Sequence, residues 1–207
     1  MARLLICVFL LTLAASIALG QGRVIDEATY TQVLESAGEY RLSENYRVKM
    51  ITTVKSGPMT SEILEFEPPN KRRVRTFRID RGELEPSSEW IFIEQTVYVK
   101  RQGLGWQVEE RRQADMVKSR SEVTKVEYWD MGTEPSGSMK LFLRKVHAHL
   151  RADGLIIENT QTVKSWIDRG GKLRKEEYTS TNSKSGTTVL TMDYEVDPTI
   201  RIEAPIK

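Results

Sequence analysis

The sequence has almost no cysteine. Its one copy, Cys7, lies in an apolar N-terminal stretch. No disulfide can form within the chain, and beyond that stretch no thiol is left to attack a substrate or hold a metal. Histidine is nearly as scarce, with His147 and His149 as the two copies. On a strand both would point to one face, but a metal site needs a third and fourth ligand, and the sequence nominates none. Gly-x-Ser-x-Gly, a phosphate-cradling glycine loop and His-Glu-x-x-His are all missing. The acidic pairs Glu109-Glu110 and Glu176-Glu177 would point to opposite faces of a strand, a poor arrangement for joint acid–base work. No enzyme, cofactor or metal is expected. Charge bias is lacking too: 31 Lys and Arg stand against 29 Asp and Glu, for a formal charge of +2. Such a surface has no overall pull toward nucleic acid or membrane. After the first twenty residues no run approaches the ~20 apolar residues of a membrane span.

What is present begins with a leader. Arg3 precedes an apolar core at 4–15, and Ala18-Leu19-Gly20 supplies a small-residue end. Residues 1–20 read as a secretory signal cleaved after Gly20. No cysteine follows that core to carry a lipid anchor. Residues 21–207 then form one domain of ordinary size. A cysteine-free exported domain points to a bacterial envelope; the periplasm is the expected place and a monomer the expected state.

Residues 26–40 carry the one clear helical period. Tyr30, Val33, Leu34 and Ala37 recur at i, i+3, i+4 and i+7, and Asp26 and Glu27 suit a helix N-terminus. From residue 43 onward the period becomes two. Strands are expected at 47–55, 60–67, 71–79, 89–94, 96–101, from Trp106, 123–131, 139–149, 155–168, 172–181 and 187–196. Gly-, Pro- and Asn-rich turns separate them. Residues 111–122 are polar, basic and aperiodic, and read as a short helix or loop. A sheet of about ten strands must curl, close or split, and the helix has to bury its stripe against it. The fold class expected is mainly β, one strongly curved antiparallel sheet with a helical lid.

One stretch resists a simple strand reading. Trp90-Ile91-Phe92-Ile93 is apolar in both registers, whereas a strand with one wet face alternates. One face is expected to look into the curl, and the other needs a loop or a sheet edge to cover it. The inward register is read as Val48, Met50, Val54, Leu64, Phe66 and Val74. It continues as Trp90, Phe92, Val97, Val99, Trp106 and Val108, and then Met139, Leu141 and Leu143. Tyr30, Val33, Leu34 and Ala37 would form the lid. In the basic run, Lys71, Arg73 and Arg75 fall on one face, and Arg72 and Val74 on the other. The bland reading is a solvated face that discourages edge pairing. The alternative is that Arg72, Arg73 and Arg75 contact an anionic headgroup or a protein partner.

The order of these segments resembles the LolA-like periplasmic lipoprotein-carrier family. The residues that carry the resemblance are "YRVKM", "EFEPPNKRRVR", "IFIEQTVYVKRQGLGW", "SWIDRGGKLRKEEY" and "DYEVDPTIRIEAP". The resemblance implies an incomplete barrel lidded by helices around an apolar cavity, and a lipid or the acyl chain of a lipoprotein as ligand. It implies at most peripheral contact with a membrane. In the carriers an arginine stands just before the Pro-Asn break; the matching residue here is Pro68. The fold and ligand class are therefore carried over and the shuttle role is not. The competing expectation is an envelope interaction module whose hollow is filled by its own side chains.

Overall fold

A computed structural model describes residues 22–55, 57–80, 83–110, 121–152, 155–184 and 186–206. The leader and most of the 111–122 segment lie outside these residues; Ser121 and Glu122 open a strand. In chain order come β1 (Arg23–Val24), α1 (Glu27–Gly38), a 3-10 turn (Glu39–Leu42), β2 (Tyr46–Val54), β3 (Gly57–Glu67), β4 (Lys71–Asp80) and β5 (Glu83–Ile93). These are followed by β6 (Thr96–Arg101), β7 (Trp106–Glu110), β8 (Ser121–Thr133), β9 (Met139–Ala152), β10 (Leu155–Asp168), β11 (Leu173–Asn182) and β12 (Gly186–Val196).

All these strands join one sheet in the order β1-β8-β9-β10-β11-β12-β2-β3-β4-β5-β6-β7. Neighbours are antiparallel, as hairpin-linked strands must be. Two hairpin meanders, β2–β7 and β8–β12, meet where β12 pairs with β2 from Thr188↔Val54 to Val196↔Tyr46. The outermost strands, β1 and β7, do not pair with each other, so the curved sheet stays an open, incomplete barrel.

The helix forms where its period placed it. Asp26 caps it, the side chain accepting from the Thr29 backbone N–H at 2.7 Å. Its stripe faces the sheet: Tyr30 and Ala37 are buried, and Val33 and Leu34 pack beside them. Tyr40, Tyr46, Val48, Phe142, Ile167 and Leu173 complete that core. The Tyr40 hydroxyl donates to the Leu173 carbonyl at 3.0 Å, tying the helical end to β11.

The doubly apolar stretch is explained by a second cover. Trp90 and Phe92 sit opposite Val74 and Arg72, on the helix-bearing face. Ile91 and Ile93 point the other way and form a separate core with Tyr98, Trp106, Ile200 and Ile202. The C-terminal tail thus lies across the back of β5–β7, and Ile202 is 0% exposed there. Polar bonds fix its course. The Ile202 N–H donates to the Glu67 carboxylate at 2.7 Å, and the Asn45 side-chain amide donates to the Ile200 carbonyl at 3.0 Å. The turn of β5 to β6 falls at Glu94-Gln95, with Glu94 in the left-handed region (φ 53°).

Two outcomes follow for the tail. Truncating Ile202 to Ala removes a fully buried side chain and is expected to cost about 2–4 kcal/mol in urea unfolding, whereas Leu42→Ala, at an exposed site, should change stability by less than about 0.5 kcal/mol. The Glu67 carboxyl is held below its ordinary value, first by the Ile202 N–H and further by Lys71. A carboxyl with a lowered folded pKa stabilises the fold above its unfolded pKa and loses that contribution as pH falls through the folded one. Stability measured from neutral to acid pH should therefore fall less steeply in Glu67→Gln than in the parent protein; an unchanged slope would show that this bond does not anchor the tail.

Candidate functional site

The helix-bearing face carries most of the residues expected to look inward. Val48 is buried in the core under α1, and Met50, Leu64 and Phe66 pack against it. The Phe66 ring stacks on Tyr46 at 4.4 Å. Val54 shares this face, at the far end of β2. Val74, Trp90 and Phe92 continue it across β4 and β5, and Val97 and Val99 are buried on β6 opposite Phe92 and Trp90. Trp90 and Phe92 lie nearly parallel, 6.4 Å apart along the strand. The Arg72 guanidinium sits 4.1 Å from the centre of the Phe92 ring, and that of Arg101 lies 5.6 Å from Trp90.

Five residues read as inward stand on the opposite face. Trp106 pairs with Lys100 and packs in the tail-covered core, and Val108, in the same register, is exposed. On β9 the inward set is Phe142, Arg144, Val146 and Ala148, and Met139, Leu141 and Leu143 point outward. The reason lies in two tryptophans. Leu143 sits opposite Trp129 and Leu141 opposite Trp166. Trp166 is buried, donates its indole N–H to Glu134 and lies under Lys175. These rings give the outer face of β8–β10 an apolar layer of its own.

Beneath the helix the face turns polar. Glu176 accepts from Ser165 at 3.2 Å and from the Tyr194 hydroxyl at 2.7 Å. Burial pushes the Tyr40 phenol up to about 12, and it raises the Tyr30, Tyr178 and Tyr194 phenols as well. All four hydroxyls keep their protons at neutral pH and can act as donors.

The basic run divides as its alternation requires. Arg72 is on the helix-bearing face. Arg73 and Arg75 are on the back and converge on Glu65, which is only 4% exposed. Glu65 takes Arg47 and Arg75 at 3.0 Å each and Arg73 at 3.2 Å. Arg47 also pairs with Asp197 at 3.0 Å, at the start of the tail. Arg73 and Arg75 are thus committed within the fold, and the headgroup role expected for them meets a competing internal carboxylate.

Open hollows of about 390 Å³ lie at both ends of the aromatic pair. Phe66, Asn70, Arg72, Phe92 and Gln95 line one; Thr76, Phe77, Pro86, Ser88 and Arg101 line another. A third, outside β8–β10, holds His147, His149 and Glu158. Among the described residues no group of three or more His, Cys, Asp or Glu is placed to hold a metal.

No known protein family matches the sequence, and no curated protein matches it. Among solved structures the chain is similar to the LolA superfamily protein NE2245 from Nitrosomonas europaea. The likeness covers 80% of this chain and 90% of that one, at 9% identity and a TM-score of 0.33.

The Glu65 cluster yields a direct test. Glu65→Ala leaves three guanidiniums around an empty, largely buried position. It is expected to lower stability by about 3–5 kcal/mol, read by urea unfolding at low salt.

Proposed function

We propose that the protein binds the acyl part of a lipid or of an acylated protein, noncovalently, on its helix-bearing face. It acts as a carrier or sensor in a bacterial envelope. One observation carries this reading: among the described residues, one twelve-residue α-helix covers part of one face of a twelve-stranded sheet. The helix packs against β8 and β11. Val74, Trp90 and Phe92 lie outside the core it forms and are only half-buried. An alkyl chain laid along them would gain ~0.8 kcal/mol for each methylene removed from water. A dozen methylenes would thus give roughly 10 kcal/mol before the costs of ordering, enough for binding without strong polar contacts. Met50 and Met192, which face each other across β2 and β12, supply side chains that adapt to a flexible chain. Among the described residues no helix is long and apolar enough to cross a membrane.

A second reading has one observation in its favour. β1 covers only Trp129 and Asp130 of the thirteen-residue β8, and Val123 and Val126 beyond them are exposed. An envelope protein could add a strand there.

Organic extraction of protein purified from cells, followed by mass spectrometry, is expected to recover lipid in near-stoichiometric amount. An apolar fluorescent probe should bind the stripped protein and be displaced by that lipid. Phe92→Arg should weaken the probe at least tenfold in a folded protein. Recovery of no lipid together with no probe binding would overturn the proposal in favour of the strand-docking module.

A further inference from the structure

Arg144 lies in the middle of the helix-bearing face. It is next but one to buried Phe142 on β9, opposite Tyr128 of β8 and Val163 of β10. The following residue in this row is Tyr178 of β11, and Tyr30 comes down on it from α1. The Tyr30 and Tyr128 rings pack 5.0 Å apart beside it. Among the described residues no carboxylate forms an ion pair with Arg144, and its buried Nε has no hydrogen-bond partner. This is unlike Arg73 and Arg75, whose terminal nitrogens reach Glu65.

The hydroxyls around Arg144 differ in their commitments. Tyr30 meets Ser165, and Tyr128 meets Glu27. Tyr178 has no hydrogen-bond partner among the described residues. The nearby carboxylate, Glu176, is taken by Ser165 and Tyr194. The row therefore presents a guanidinium and a phenol, both able to donate, with no carboxylate paired to the guanidinium among the described residues. A partly buried cation left this way costs free energy that an anion would recover, and a guanidinium receives carboxylate or phosphate oxygens two at a time.

We propose that Arg144, assisted by Tyr178, receives the anionic end of the bound amphiphile, a carboxylate or a phosphate monoester. The alkyl chain then runs over the apolar part of the same face. This rests on the acyl-binding reading and adds to it a polarity: the charged end lies under α1.

The test compares four ligands on the full, delipidated protein by calorimetry: palmitate, hexadecyl phosphate, hexadecanol and inorganic phosphate. Palmitate or hexadecyl phosphate should bind at least tenfold more tightly than hexadecanol, and the tighter of the two identifies the headgroup. Arg144→Met, which keeps an unbranched apolar stem and removes the charge, should erase that preference and leave hexadecanol binding intact. Tyr178→Phe should reduce it several-fold. If Arg144→Met does not fold, the comparison within the parent protein and Tyr178→Phe still decides. Equal binding of palmitate, hexadecyl phosphate and hexadecanol overturns the role of Arg144 and leaves acyl binding standing. Binding of none of the three overturns both. Inorganic phosphate binding as tightly as hexadecyl phosphate would show a site for a free anion and overturn the amphiphile.

Discussion

A sheet that is apolar on both sides must be covered on both sides, and the arrangement of this protein follows from that requirement. β5 states it most sharply, because Trp90 and Phe92 need shelter in one direction and Ile91 and Ile93 in the other. α1 serves part of the first face. The tail after β12 serves the second, placing Ile200 and Ile202 against Ile91. The polar bonds of the tail have a secondary part: Glu67, Asn45 and Asp197 set where it runs, and burial of two isoleucines keeps it there. Since the tail lies more than a hundred residues from β5 in sequence, this back core is a long-range contact of the kind that slows folding.

The two faces treat charge differently. On the back, Glu65 satisfies three arginines at once and Asp197 draws Arg47 toward the tail, so the charges cancel within the fold. On the helix-bearing face Arg72 and Arg101 lie over aromatic rings, and Arg144 faces phenols. Balanced charge is a structural arrangement, whereas a guanidinium without a carboxylate partner, as at Arg144, suits a ligand that brings its own oxygen atoms.

The helix, the strand–turn rhythm and the antiparallel class were legible in the sequence because each depends on spacing alone. The stripe Tyr30, Val33, Leu34, Ala37 packs as its period requires, and Val48, Met50, Leu64 and Phe66 point where alternation puts them. Spacing does not say which of two apolar registers faces in. On β9 both registers are apolar, and Met139, Leu141 and Leu143 turned outward to meet Trp129 and Trp166, two rings on neighbouring strands whose proximity no local pattern records. Trp106 was misplaced for the same reason, since its partner, the tail, is remote in sequence. Arg144 and Tyr178 were missed because one arginine in a strand carries no periodic signal; only cross-strand register brings the pair together.

The seam between the two meanders has a consequence for how the chain is made. β2 has β3 on one side and β12 on the other. A ribosome delivers β2 more than a hundred residues before β12. Throughout elongation, Tyr46–Val54 therefore offers a bare row of backbone donors and acceptors to whatever is nearby. The first meander stays open on that side until β12 has been synthesised.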